Sequence, residues 1–180
     1  MLKLPKLYKH LLTIKGPRLL LEALRWFGTQ ETPGPVSNTA ILAWAAFVGA
    51  DSYYKSDATP WCALFLAYCC KMAGFALPPD PLRALAWLGW GTSVRPGEAS
   101  LGDVLVMSRA GGGHVTIYVG ETATHYAGLG GNQNDQVGID WFPKARISAI
   151  RRCPWRQQQP ADVRPVYLTA AGAAQHAREN

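Results

Sequence analysis

Between residues 17 and 27 the chain reads PRLLLEALRWF, with apolar positions at helical spacing, a proline at the first turn and Gly28 behind it. That combination of start, period and stop predicts a helix over 17–27. TQETPGPVSN follows as a loop. A second helix is expected over 39–48, with Asn38 or Thr39 near its cap. The polar stretch DSYYKSDATP then runs into an apolar helix from Trp61 to Gly74, where glycine permits a left-handed cap. A short helix is expected over 82–88. Past it the period changes. Runs at 103–108, 114–119, 124–129, 137–141 and 147–152 read as strands separated by Gly-rich or polar turns. Helices first and strands afterwards predict an α+β fold with an antiparallel sheet.

The ends differ from this middle. Residues 1–16 form a basic, partly amphipathic extension expected to pack on the domain. Residues 17–155 form one domain. Residues 156–180 open with the linker composition RQQQPAD and close in an Ala-rich helix or a tail. With 180 residues, 48% of them hydrophobic, the chain has enough apolar surface to bury a core. The N-terminal lysines and Pro5 interrupt any apolar run before a secretory signal forms. The net charge of +6 favours a polyanionic partner: nucleic acid, an anionic membrane or an acidic wall polymer. No nucleic-acid module accompanies the charge, so nucleic acid is not expected.

Four cysteines sharpen the picture. Cys62, Cys69, Cys70 and Cys153 contain no Cys-x-x-Cys pair and no histidine at zinc-finger spacing, so no metal is expected. Cys69 and Cys70 sit late in an apolar helix and read as core. Cys62 opens that helix, where unpaired N–H groups and the helix dipole stabilise a thiolate. The same N–H groups can hold the oxyanion formed on amide attack.

A nucleophile of this kind needs a base. His10 and His176 lie in the terminal segments and are expected in solvent. His114 opens a strand after three glycines and can be aimed into a cleft, with His125 in reserve. An imidazole in turn needs a group that fixes its tautomer. Asn132 lies one hairpin after His114, in GGNQND, which otherwise reads as a turn. A calcium loop is weaker, because the spacing does not match an EF-hand.

ETPGP (31–35), SDATPWCALFLAYC (56–69), GD (102–103), GHVTIYVG (113–120) and LGGNQ (129–133) together resemble the NlpC/P60 and CHAP superfamily of papain-like peptidoglycan hydrolases. The set is most similar to a phage- and prophage-associated branch. The resemblance runs from about Leu19 to Cys153. It implies a papain-like fold, with N-terminal helices on a central antiparallel sheet of about five or six strands. It also implies cleavage of amide bonds in bacterial peptidoglycan, without metal or organic cofactor. By position it gives Cys62, His114 and Asn132 the catalytic roles, with Gln133 close by. Trp61 and Trp90 are expected to wall a groove, and Asp57 to seat an amine of the stem peptide. Many relatives carry Asp or a small residue where Trp61 stands.

Two rivals are a transglutaminase-like acyl transfer on the same fold and a catalytically silent wall-binding module. Acting on the wall without a signal would require delivery by a holin, a phage tail or a secretion system. The chain is expected to be a monomer.

Overall fold

A computed structural model describes residues 3–109, 111–155 and 158–168. Three α-helices, α1 (Arg18–Leu24), α2 (Thr39–Val48) and α3 (Cys62–Met72), precede a six-stranded sheet. Its strands are β1 (Thr92–Val94), β2 (Val104–Arg109), β3 (Gly112–Glu121), β4 (His125–Gln133), β5 (Gln136–Pro143) and β6 (Ile147–Arg152). The order is β1-β6-β2-β3-β4-β5, with every neighbouring pair antiparallel. The α+β arrangement, helices first, follows the sequence pattern.

Local chemistry explains the helix ends. Asn38 caps α2 by accepting the N–H of Ala40 at 2.8 Å, and Gly49 closes it in a left-handed turn. α1 stops at Leu24, short of the expected Phe27. The next residues leave the helix to pair with β5, Gly28 N donating to Val137 O and Val137 N to Thr29 O.

α3 is apolar nearly all round, and eight of its eleven residues are buried. Such a helix belongs in an interior. It lies between α1 and α2 on one side and β3 and β4 on the other. Leu64, Phe65 and Leu66 join Val104, Val106, Val115, Ile117 and Leu129 in one core cluster. Each fully buried side chain of that size contributes roughly 1.5–3 kcal/mol by leaving water. On the other face of the sheet Leu105, Tyr118, Tyr126 and Ile150 form a smaller cluster.

The termini are also part of this body. A 3-10 helix, Lys6–Leu12, buries Tyr8 and Leu11, as packing of the extension requires. His10, expected in solvent, instead places Nε2 3.2 Å from Val119 O. Within the C-terminal segment, Glu121 N donates to Val166 O and Leu168 N to Glu121 O, which seats residues 166–168 beside β3. The Ala-rich end and His176 lie outside the described residues. No helix among the described residues is long and apolar enough to cross a membrane.

Candidate active site

Cys62 is the first residue of α3. Its cap position, Trp61, offers no side-chain hydrogen bond to the helix start, so the N-terminal N–H groups stay open. The thiol lies against the backbone N–H groups of Val115, Ala63 and Cys62 itself. Burial pushes the thiol up, and those N–H groups pull in the opposite direction without reversing it. Val115 directly follows His114, so the Cys62 thiol rests beside the strand that carries the imidazole. The β3–β4 ladder begins at Ile117↔Leu129. Over residues 114–116, β3 is paired with β2, and the N–H of Val115 is left to face the thiol.

The partner of His114 is Gln133. Its Oε1 lies 3.2 Å from His114 Nε2. Both hydrogens of the Gln133 amide are used elsewhere, donated to Gly128 O at 3.0 Å and Gly138 O at 2.9 Å. That choice fixes the amide: the oxygen must face the ring, and Nε2 must carry the proton it accepts. The neutral tautomer is therefore Nε2–H, with Nδ1 left as the proton acceptor. Phe142 covers the ring, centroid to centroid 5.6 Å.

Burial lowers the His114 pKa from 6.5 to about 4. The Gln133 hydrogen bond opposes the shift, and the guanidinium groups of Arg109 and Arg146 add to it. Both shifts favour the neutral forms, a thiol at Cys62 and an unprotonated imidazole at His114. The same burial makes stability depend on pH. As pH falls below about 6.5, the unfolded chain takes up the proton first, because its imidazole is unshifted. Stability is complete above that value, declines between about 6.5 and 4, and levels off below. Urea unfolding at pH 7 and 4.5 should show His114→Gln spared about 2 to 3 kcal/mol of the loss suffered by the unmodified chain. Equal losses in both would contradict a half-buried neutral ring.

Asn132 does not meet His114. Its Nδ2 donates to Glu31 Oε1 at 3.1 Å, and its backbone is left-handed at φ 55°. The cause is one extra residue. Opposite β5, Gly130 pairs with Gly138 but Gln133 pairs with Gln136, so β4 carries a bulge between them. Counting straight back from Ile117↔Leu129 sets residue 132 opposite His114. A one-residue shift exchanges the two faces of the strand and gives the position to Gln133. Two glycines make the bulge possible. A Cβ on Gly130 would stand 2.5 Å from Gln133 Oε1, and one on Gly131 2.6 Å from the Trp61 ring and 2.7 Å from Phe65 Cβ. Gly131→Ala should therefore push α3 from β4 and lower thermal stability by about 1–3 kcal/mol, read as a drop in Tm. An unchanged Tm would mean that α3 and β4 do not approach each other that closely.

The remaining expected substrate contacts are structural. Trp61 is fully buried against Trp44 and Phe65, its Nε1 donating to Glu31 Oε1 at 2.7 Å. Trp90 is buried and donates to Ala76 O at 2.8 Å. Neither walls a groove, because each indole N–H has a partner inside the fold. Asp57 is 3% exposed, and its Oδ2 accepts the N–H groups of Thr32 and Asn38 at 2.9 and 2.7 Å. Burial pushes this carboxyl up, but the donated N–H groups outweigh it and hold it below the usual range. It clasps the 31–38 loop to the segment before the nucleophile and has no face for a substrate amine. Asp103 accepts the N–H of Ser100 and is fully buried on Arg152.

Cys69, Cys70 and Cys153 are buried, with thiols pushed up by burial; that of Cys153 reaches about 12. His125 faces Thr124 and takes no part. Glu31 has a role that its sequence context does not signal. One of its oxygens joins Trp61 to Asn132, and nothing in ETPGP points to that use. Among the described residues no group of three His, Cys, Asp or Glu side chains could hold a metal.

No family model matches the chain, and no curated protein does. The chain is similar to a P60 domain. That solved structure comes from an antigen of M. avium paratuberculosis, 18% identical, covering 81% of this chain and 94% of its own, at a TM-score of 0.46.

Proposed function

We propose that this chain is a cysteine peptidase or amidase that cuts amide bonds of bacterial peptidoglycan through Cys62, His114 and Gln133. The observation that carries the chemistry is the fixed Gln133 amide. By occupying both its hydrogens it leaves His114 Nδ1 as the one unprotonated ring nitrogen, on the strand whose Val115 N–H meets the Cys62 thiol at a helix start. The wall as substrate is supported by the resemblance of the WCA, GHV and GGNQ segments to peptidoglycan hydrolases.

In this reading His114 Nδ1 takes the Cys62 proton as Sγ attacks the amide carbon. Proton transfer and attack proceed together in this scheme. The oxyanion is received by open N–H groups at the start of α3. Collapse breaks the C–N bond, and the imidazolium gives its proton to the leaving amine. Water, deprotonated by Nδ1, then hydrolyses the thioester and frees the thiol. Written this way the reaction needs no cofactor. The substrate lies outside the cell membrane, so a holin, a phage tail or a secretion system would deliver a chain acting as a monomer.

Purified sacculi incubated with the protein should release soluble fragments whose mass spectra show new free amino and carboxyl termini. Amine adducts instead of free termini would assign acyl transfer. Binding to sacculi with no release would assign a silent wall-binding module.

A further inference from the structure

α3 carries the nucleophile at one end and a second cleft at the other. The residues that follow the helix, Ala73 to Phe75, line a depression of about 950 Å³ completed by the start of α1 and by residues 158–160. Eleven residues of helix set this cleft about 16 Å from Cys62, so it is no part of the catalytic site.

The lining is cationic. Lys15, Arg18 and Arg25 bring three positive charges, against one carboxylate, Glu22. Glu22 is buried and held from both sides, 3.1 Å from Arg25 Nη1 and 3.9 Å from Arg18 Nε. Both arginines remain about 70% exposed, so Glu22 holds one edge of each guanidinium while their other N–H groups face solvent. Asp162, which accepts the backbone N–H of Lys15, is not in the lining. Two half-buried rings, Phe75 and Trp155, stand in the same wall beside the amides of Gln158 and Gln159. Guanidinium and ammonium groups match carboxylate and phosphate oxygens. Flat rings and amides suit the alternating apolar and hydroxylated surface of a sugar or polyol.

We propose that this cleft is a second, non-catalytic site that binds an oxyanion-bearing strand of the cell wall, through a carboxylate or a phosphate. The assignment of the wall as source rests on the function proposed above. The cleft's charge does not. Occupied, it would hold the polymer while α3 presents Cys62 to a bond elsewhere on it.

The test uses the full chain carrying Cys62→Ala and follows the Trp155 indole resonance. One arm titrates glycerol-phosphate oligomers and the other disaccharide-tripeptides, which separates phosphate from carboxylate as the anion bound. At least one probe should shift Trp155, with an affinity that falls tenfold or more in Lys15→Gln/Arg18→Gln/Arg25→Gln and steeply with salt. Salt titration of the otherwise unmodified chain decides the same question should the triple variant fold poorly. No Trp155 shift with either probe, or a shift indifferent to salt, would overturn the proposal. Cleavage of a soluble muropeptide by the triple variant in the Cys62 background should stay within about twofold of the unmodified chain. If that cleavage is absent from both, the hydrolase reading fails, while the Trp155 titration still decides the cleft.

Discussion

Cys62→Ala should abolish release of soluble fragments from sacculi, a loss of roughly 10⁵-fold or more, because nucleophile and base act as a unit. Cys69→Ala and Cys70→Ala should lose stability, about 1–3 kcal/mol each as small buried hydrophobes, and keep the rate per folded molecule. The contrast is physical. All three thiols are pushed up by burial, but N–H groups from Val115, Ala63 and Cys62 oppose that shift at Cys62, whereas at Cys70 no such donors do. Iodoacetamide should therefore label Cys62 faster than the other two. Equal labelling, or full lytic activity in Cys62→Ala, would remove the nucleophile assignment.

The second large effect separates two neighbouring amides. Gln133→Met fills similar space but offers no oxygen to His114 Nε2 and leaves Gly128 O and Gly138 O without donors. The ring can then adopt the other tautomer, which puts a proton on Nδ1 where the base is needed. A drop of about 100-fold in kcat is expected. KM should change little, since Gln133 is 2% exposed and meets no substrate. Asn132→Gly keeps the left-handed backbone and removes only the tie to Glu31, so kcat should stay within about fivefold. The reverse ranking in steady-state kinetics would restore Asn132 as the orienting residue and refute the bulge as its cause.

That ranking also shows where sequence was legible. α2 announced itself through Asn38, and α3 through an apolar run closed by Gly74, because caps are local chemistry. The strands β2 to β6 were readable from short runs and turns, while β1, three residues at an edge, carried no period. Cys62 and His114 stood out as candidates for the same local reason: one opens a helix, and the other follows a glycine run near the start of a strand. The group that meets the imidazole was not. Its identity depends on a bulge, and a bulge depends on which residues pair across two hairpins, which period counting cannot see. The tryptophans failed similarly. An indole that stacks on a ligand and one whose N–H meets Glu31 or the carbonyl of Ala76 read alike in one dimension.

The Asp57 clasp has a consequence for motion. One carboxylate oxygen holds the N–H groups of two residues six apart, Thr32 and Asn38, while its own backbone N–H reaches Ser37. Glu31, at the root of the same loop, grips Trp61 and Asn132. The loop before α2, the segment before Cys62 and the bulge of β4 are thus riveted into a single frame around Cys62. Rearrangement of one of them entails breaking the rivets to the others, so a substrate meets a rim set at folding, not one shaped around it on arrival.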